Sequence, residues 1–187
     1  MKRLFIASTI TFDAQTKQFI ANLQRNLAYN KIVWVKEDVV HLTLRFLGQT
    51  PDLEIPKIKE IMDLATQPFS PFTMQLDQLG VFGSRYSPQV VWLGFHAFET
   101  YLQLFKAIEE PLIESGFQPA YGNFVPHITL GRIKNIIDKP FFWKWIEQHT
   151  NSVSQSITIN KITLFQSKLT NEGPIYKSLH SVSLKGL

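Results

Sequence analysis

The chain has 187 residues, a length that favours one domain, and its 44% hydrophobic and 18% charged residues are ordinary for a protein with a real core. The net charge of +4 mildly favours an anionic partner, most commonly nucleic acid, although no long basic run is present. Cysteine is absent, which excludes disulfides and thiolate sites, and no apolar stretch suits a signal peptide or a membrane span, so we expect a soluble cytoplasmic protein with no membrane partner.

Hydrophobic periodicity predicts alternating strands and helices in the first half of the chain. A central strand over 4–8 precedes a helix that Thr11 or Asp13 can cap, because either side chain can accept from a free first-turn amide. Apolar residues at helical spacing give this helix its buried stripe. The sequence then predicts strands over 32–35, 41–47 and 72–79, a helix that begins at 51–52, and a turn-rich loop over 80–85.

The second half continues the alternation. Thr100-x-x-Gln103 is a capping-box signature for a helix that ends at Gly116. Short connections favour hairpins, so we expect an α+β fold: two mainly antiparallel sheets in a pseudo-twofold arrangement, flanked by helices, with a cleft between the two lobes of one domain spanning 1–187. The remaining predicted elements are strands over 90–93, 157–165 and 175–184, a helix over 140–149 and a turn over 170–174.

One tetrapeptide pattern occurs twice, as His41-Leu42-Thr43-Leu44 and as His127-Ile128-Thr129-Leu130. Alternation with period two predicts a strand in both places, with histidine and threonine on one face and the aliphatic residues on the other. A single His-x-Thr in a strand is usually an ordinary surface feature. Two copies among five histidines are improbable by accident at average residue usage, so we expect the fold to bring both imidazoles together.

Two imidazoles suit a reaction in which one proton is removed and another is delivered near neutral pH. The hydroxyls of Thr43 and Thr129, on the same faces as the histidines, can hydrogen-bond an oxyanion held between them. This symmetric set fits a tetrahedral group with two non-bridging oxygens. The residues therefore predict phosphodiester chemistry, with His41 and His127 catalytic and the two threonines binding substrate.

Two arginines follow the motifs closely enough to meet a phosphate, for which a guanidinium supplies charge and paired hydrogen bonds. Alternation places Arg45 on the His41 face. It turns Arg132 away from His127 unless the strand bulges or ends at Gly131, a residue that favours such a bulge. We therefore expect Arg132 to bind substrate if the bulge forms, with Arg45 as a further candidate.

Other chemistries have less support in the sequence. No His-Glu-x-x-His, no Gly-x-Ser-x-Gly and no glycine-rich nucleotide loop is present, so we expect no metal site and no cofactor. The remaining histidines lack a motif and are expected to be structural or solvent-facing, and three loop aromatics either stack on a base or anchor their loops. These histidines are His96, His149 and His180, and the aromatics are Phe82, Tyr86 and Phe124.

The wider sequence resembles the two-histidine (2H) phosphoesterase superfamily, and within it the bacterial and archaeal RNA 2′,3′-cyclic phosphodiesterases, also called 2′-5′ RNA ligases. The resemblance spans nearly the whole chain, although Gly131 stands where many members carry alanine or another side chain. The segments that carry it are Arg3-Leu4-Phe5-Ile6-Ala7, His41 to Gly48, Gly80-Val81-Phe82, Val91-Trp92-Leu93-Gly94, Phe124 to Arg132, Leu164-Phe165-Gln166-Ser167 and Gly173-Pro174-Ile175-Tyr176.

The resemblance implies a bilobal fold with the two histidine strands facing each other across a cleft. It implies metal-independent hydrolysis of an RNA 2′,3′-cyclic phosphate to a 2′-phosphate end. In the family the first histidine is the proton donor and the second the acceptor, which would make His41 the acid and His127 the base. The expected partner is RNA or an oligonucleotide with a 2′,3′-cyclic phosphate end, and the expected state is a monomer.

Two alternatives remain open from the sequence. The same groups run in reverse could join a cyclic end to a 5′-hydroxyl, which is 2′-5′ RNA ligation. The chain could also be a non-catalytic RNA-end binding module, although a pure binder has no need for two titrating groups. A turnover assay that identifies which hydroxyl keeps the phosphate separates these possibilities.

Overall fold

The computed structural model of the protein describes residues 1–170 and 173–186, which form two antiparallel sheets flanked by four helices. The strands are β1 (Lys2–Thr9), β2 (Lys31–Trp34), β3 (His41–Thr50), β4 (Phe72–Gly83), β5 (Pro88–Phe95), β6 (His127–Asn135), β7 (Gln155–Ile159), β8 (Lys161–Thr170) and β9 (Gly173–Ser183). The helices are α1 (Ala14–Asn26), α2 (Ile55–Ala65), α3 (Glu99–Glu114) and α4 (Lys139–Gln148).

The order of strands relates the two sheets to each other. One sheet has the order β3-β1-β8-β9 and the other the order β2-β6-β5-β4-β7, with antiparallel neighbours in both. Apart from the additional edge strand β2, the two orders correspond when β3 is matched to β6 and β1 to β5. The predicted α+β fold with two related antiparallel sheets is therefore confirmed.

The two predicted helix caps have different outcomes. Asp13 caps α1, because its carboxylate accepts a hydrogen bond from the Thr16 amide at 2.7 Å. The capping box predicted at Thr100 is wrong. Helix α3 begins at Glu99, directly after Phe98, so Thr100 lies inside the first turn and not before it.

Pairing extends two strands beyond their predicted ends. Strand β3 continues past Gly48 to Thr50 alongside β1. Strand β4 continues into the loop predicted over 80–85 and reaches Gly83 alongside β5. A glycine is a turn signal in sequence, but a partner strand supplies the hydrogen bonds that keep such a segment extended.

The single strand predicted over 157–165 is two strands in the structure. They separate at Asn160, where the chain leaves one sheet and enters the other: β7 pairs with β4, whereas β8 pairs with β1. The apolar alternation changes phase between Ile159 and Ile162, where Asn160 and Lys161 are adjacent polar residues, and this break coincides with the change of partner. The turn predicted over 170–174 includes 171–172, which lie outside the described residues.

Buried side chains of both sheets and of the helices form one hydrophobic core. Leu42 and Ile128 of the histidine strands belong to it and are fully buried. Tyr101 of α3 is also fully buried, and its hydroxyl donates to the Leu42 carbonyl at 3.1 Å, which fixes the backbone next to His41. In the described part of the chain no helix is long and apolar enough to cross a membrane.

Candidate active site

The two histidine strands lie next to each other at the junction of the sheets. Strand β3, at the edge of one sheet, contacts β6 of the other sheet. Both motifs have the same burial pattern, in which a half-buried histidine and threonine alternate with buried aliphatic residues. The histidine and threonine of each motif therefore face a cleft, and the aliphatic residues face the core.

Each imidazole is fixed by a hydrogen bond to the backbone two residues before it. The Nδ1 atom of His41 lies 2.9 Å from the carbonyl oxygen of Val39, and Nδ1 of His127 lies 2.8 Å from that of Val125. Because a carbonyl oxygen can only accept, Nδ1 carries the hydrogen in both rings. The Nε2 atom of each neutral ring is therefore free to accept a proton and, once protonated, to donate it.

Aromatic side chains pack against both imidazoles. The ring of His41 lies 4.9 Å from the ring of Phe5 and 5.1 Å from that of Tyr176, which it meets edge-on. The ring of His127 lies 4.7 Å from that of Phe82, also edge-on. These contacts exclude water from part of each imidazole surface and so reduce the solvation of a charged ring.

Trp92 adds an apolar wall on the His127 side. It lies opposite Thr129 in the pairing of β5 with β6. The indole crosses Gly80 of β4, where a Cβ atom would overlap the ring, so only glycine leaves room for it. The indole Nε1 is buried, and no described residue accepts a hydrogen bond from it.

Burial lowers the pKa of both His41 and His127, because the loss of water disfavours the charged ring. The two backbone hydrogen bonds partly oppose this by favouring the imidazolium form. The positive charge of Arg132 lowers both pKa values further, and His127 lowers that of His41. Both rings are therefore mainly neutral at neutral pH, and Arg132 is close enough to act on both.

The hydroxyls of Thr43 and Thr129 are available to a ligand. Thr43 lies opposite Ala7 of β1, a small residue that leaves space beside the hydroxyl. Among the described residues no group forms a hydrogen bond with either hydroxyl. Two donors thus stand beside the two imidazoles, one on each strand.

The bulge on which the position of Arg132 depends is present. An extra residue, Leu130, lies between the paired positions Thr129 and Gly131 on β6. The bulge resets the alternation, so that Leu130 and Gly131 are both buried and Arg132 returns to the cleft face. A Cβ atom at 131 would lie 2.7 Å from Ile32 and 2.8 Å from the ring of Trp34, both on β2, so a larger residue there would displace these side chains.

An equivalent bulge at Leu44 places Arg45 inside the protein. The prediction that Arg45 shares the His41 face is therefore wrong, because the bulge reverses the alternation on which it depended. The buried guanidinium forms an ion pair with Glu109 of α3 and donates to the Phe46 carbonyl at 2.6 Å. Arg45 thus connects β3 to α3, with its guanidinium held by partners inside the protein.

The three loop aromatics have different positions. Phe82 lies in β4, not in a loop, and contacts His127. Phe124 stacks on Phe105 of α3 with ring centroids 4.2 Å apart, which anchors the segment before β6. Tyr86 is exposed in the connection between β4 and β5.

Two residues that contact His41 were not predicted as site residues. Phe5 of β1 and Tyr176 of β9 come from opposite ends of the chain, and their rings lie 4.9 Å apart. The strand order β3-β1-β8-β9 brings them together, which no local pattern reveals. The available signal was that both lie in segments that carry the family resemblance.

The other histidines have partners outside the motifs. His96 pairs with Asp77 at 2.9 Å, His180 pairs with Asp63 at 2.8 Å, and His149 stacks on a tryptophan of α4. Within residues 1–170 and 173–186, no three histidine, aspartate or glutamate side chains converge as metal ligands.

A groove of about 830 Å³ leads away from the paired motifs. It begins at Thr43 and His127 and follows β3 towards the segment over 115–125, which connects α3 to β6. Its volume lies within the range of about 300–1,000 Å³ that is typical of small-molecule sites. A nucleotide-sized ligand therefore fits beside the histidines.

Comparison with known proteins identifies relatives over both halves of the chain. The sequence pattern of the family described as LigT like phosphoesterase matches residues 10–92 and 96–176. Each matched stretch contains one His-x-Thr motif, so the match covers both strands of the site.

Individual relatives agree with the family match. A protein of Aeropyrum pernix named RNA 2′,3′-cyclic phosphodiesterase is 33% identical over 166 residues, which are 87% of this chain and 93% of the relative. A protein of Thermotoga maritima with the same name is 32% identical over 153 residues, 82% of this chain and 80% of the relative. The solved structure of a Thermus thermophilus protein, TT0787, covers 98% of both chains with a TM-score of 0.81 at 24% identity, which supports the fold.

Proposed function

This chain belongs to the LigT-like phosphoesterase family, and on that premise we propose that it hydrolyses an RNA 2′,3′-cyclic phosphate to a 2′-phosphate by two-histidine acid–base catalysis, without a metal ion. The observation that carries the proposal is the pair of imidazoles whose Nδ1 atoms bind backbone carbonyls, which leaves both Nε2 atoms free. The names of the relatives supply the substrate class.

In the proposed reaction His127 is the base and His41 the acid, an order that follows the family resemblance. Nε2 of His127 takes a proton from water as the water oxygen bonds to phosphorus and the bond from phosphorus to the 3′ oxygen breaks. His41, protonated on Nε2, gives its proton to the departing 3′ oxygen. The products are a 2′-phosphate and a 3′-hydroxyl, and proton exchange with solvent restores both imidazoles.

The other residues of the proposed site hold the phosphate. Thr43 and Thr129 donate hydrogen bonds to the non-bridging oxygens. Both hydroxyls are available for this because neither has a hydrogen-bond partner among the described residues. Arg132 supplies positive charge near both imidazoles, where negative charge grows on the phosphoryl oxygens in the transition state. Metal independence is part of the proposal because these groups supply both the proton transfers and the charge.

The central test replaces each catalytic histidine in turn. We expect His41→Ala and His127→Ala each to lower turnover of adenosine 2′,3′-cyclic phosphate by about 10²–10⁴-fold, the usual contribution of a positioned acid or base. Circular dichroism should show that both variants remain folded, and His96→Ala is the control for loss of an imidazole outside the motifs. Substantial activity in either motif variant would contradict the mechanism.

Product analysis tests the rest of the proposal. Chromatography against authentic 2′- and 3′-phosphates should show the 2′-phosphate alone, with the rate unchanged by EDTA. Loss of activity with EDTA and its recovery with a divalent ion would contradict metal independence. Formation of a 2′-5′ linkage from a cyclic end and a 5′-hydroxyl, at the expense of hydrolysis, would identify a ligase instead.

We also propose that the protein acts as a monomer in the cytoplasm, as one bilobal domain. One chain supplies both histidines, both threonines and Arg132, so a second copy is not needed to complete the site. The absence of cysteine suits a reducing compartment. Size-exclusion chromatography with light scattering should give the mass of a single chain.

A further inference from the structure

Two of the five arginines have no hydrogen-bond or ion-pair partner among the described residues. They are Arg3 and Arg132, and both lie on strands that border the cleft. An arginine usually finds a carboxylate or carbonyl when one is within reach, so two such guanidinium groups near one tyrosine, Tyr176, indicate a strongly anionic ligand. The paired arginines are Arg25 with Asn22, Arg45 with Glu109, and Arg85 with Glu147.

Arg3 lies along β1 from the catalytic centre. It is two residues from Phe5, whose ring contacts His41, so the two share a face and their Cα atoms are about 6.6 Å apart. The guanidinium lies over the ring of Phe46 at 4.8 Å, and that residue is 46% exposed. Phe46 follows the bulge at Leu44 of β3 as Arg132 follows that of β6, so Arg3 supplies a cation where the position on β3 equivalent to Arg132 has none.

Tyr176 connects the two arginines. In the pairing of strands, Arg3 is opposite Ser167 and Ser167 is opposite Tyr176, which places all three on one face. Burial raises the pKa of Tyr176, and the charges of Arg132 and Arg3 both oppose the rise. Arg132 also acts on both imidazoles, so both arginines lie near Tyr176 and Arg132 lies near the histidines as well.

We propose that Arg3 binds the phosphate on the 5′ side of the terminal nucleotide, so that the site selects RNA ends over cyclic mononucleosides. The inference rests on the proposed function and names its substrate more narrowly. A cyclic phosphate carries a single negative charge, for which Arg132 and the two threonines suffice. The next anion in an RNA strand is the 5′-phosphate of the same nucleotide, and the planar guanidinium of Arg3 can bind two of its oxygens.

The test compares two substrates that differ by one phosphate: adenosine 2′,3′-cyclic phosphate and its 5′-phosphorylated form. For the unaltered protein we expect kcat/KM to be about tenfold higher with the 5′-phosphate, in line with a charge-assisted hydrogen bond. Arg3→Gln should reduce this ratio to near one, and Arg3→Lys should retain part of it. Arg25→Gln, which removes a charge from the surface of α1, should keep the full ratio.

The outcomes separate this inference from the function on which it rests. Turnover of both substrates with a ratio near one in the unaltered protein would overturn the role of Arg3 alone. The same kcat/KM ratio for the two substrates in Arg3→Gln and in Arg25→Gln would also overturn the role of Arg3. Failure of the unaltered protein to turn over either substrate would instead refute the proposed function. The ratio is insensitive to a general loss of folded protein, because that loss lowers both rates equally.

Discussion

Within residues 1–170 and 173–186, the two motif histidines take their orientation from backbone carbonyls and not from a carboxylate. The carbonyls of Val39 and Val125 accept from Nδ1, so each ring has the tautomer that proton transfer through Nε2 requires. A neutral acceptor also raises the pKa less than a carboxylate would. Burial therefore dominates, and the pKa of both rings is below the ordinary value.

These lowered pKa values predict the pH dependence of the reaction. The proposed mechanism needs one protonated and one neutral imidazole, and that combination is most populated between the two macroscopic pKa values of the pair. Because both are lowered, we expect a bell-shaped profile of kcat/KM with its maximum below 6.5, the ordinary value for histidine. Bound phosphate favours the imidazolium form, so the kcat profile should lie at higher pH than the kcat/KM profile.

Arg132→Gln provides the matched variant for this profile. It removes a charge that lowers both pKa values, so the kcat/KM maximum should move to higher pH even as the rate falls. Initial rates over the full pH range, for both proteins, measure the shift. A maximum well above 6.5 in the unaltered protein, or an unmoved maximum in the variant, would contradict this account of the imidazoles.

Alternation in sequence correctly predicts that His41 and Thr43 share a face, because the pattern is local and the strand is regular up to Thr43. It fails at Arg45, which lies after a bulge that no residue type announces. Arg132 is preceded by Gly131, a residue type that favours bulges, so the bulge could be predicted there. Tyr176 could not be predicted in the same way, since its place depends on the order of strands.

At the scale of elements, one buried ion pair joins β3, α3 and the segment that leads into β6. Glu109 of α3 pairs with Arg45 of β3 through one carboxylate oxygen and accepts from the Ala120 amide at 2.5 Å through the other. The Glu109 carboxylate therefore holds both β3, which carries His41, and the segment that leads into β6, which carries His127. The pair positions the strands, and Arg45 also lines the groove beside β3.

Replacing this carboxylate should destabilise the protein strongly. Glu109→Gln leaves the buried Arg45 charge without its partner, for which we expect a loss of about 3–5 kcal/mol in the free energy of unfolding. Urea denaturation followed by circular dichroism measures the change through the midpoint at constant slope.

An exposed pair of the same composition serves as the control. Glu147→Gln breaks the contact of Glu147 with Arg85, in which both side chains are exposed, and should cost at most about 1 kcal/mol. Similar losses in the two variants would mean that the Arg45–Glu109 pair does not hold the strands as described.

The existence of most elements could be predicted from periodicity, but their ends and partners could not. The segment over 157–165 shows why: its alternation changes phase at Asn160 and Lys161, but this break does not reveal that the chain changes sheets there. Similarly, β4 continues into a glycine-containing segment because β5 satisfies its backbone. Hydrogen-bond partners distant in sequence decide both cases, and a local window contains no information about them.

At the scale of the whole molecule, each sheet combines strands from both halves of the chain. Strand β4 from the first half lies between β5 and β7, whereas β8 and β9 from the second half complete the sheet of β1 and β3. The hydrophobic core is continuous across both sheets. Neither half therefore contains a complete sheet or a complete core.

This interchange predicts cooperative unfolding. We expect a single transition in urea, with tryptophan fluorescence and far-UV circular dichroism giving the same midpoint. A fragment of residues 1–95 should remain unfolded, because it lacks the strands that pair with β1 on one side. Two separate transitions, or a folded fragment, would show that the lobes are independent domains.

The equal anchoring of the two imidazoles has a consequence for the direction of catalysis. Among the described residues no carboxylate commits either ring to one protonation state, so before substrate arrives each can serve as donor or acceptor. In the proposed reaction the RNA end would break this symmetry, because its leaving oxygen would lie beside one ring and the attacking group beside the other. With the same parts, water and a 5′-hydroxyl compete as nucleophiles for the cyclic phosphate, and the abundance of water relative to 5′-hydroxyl ends decides whether hydrolysis or ligation results.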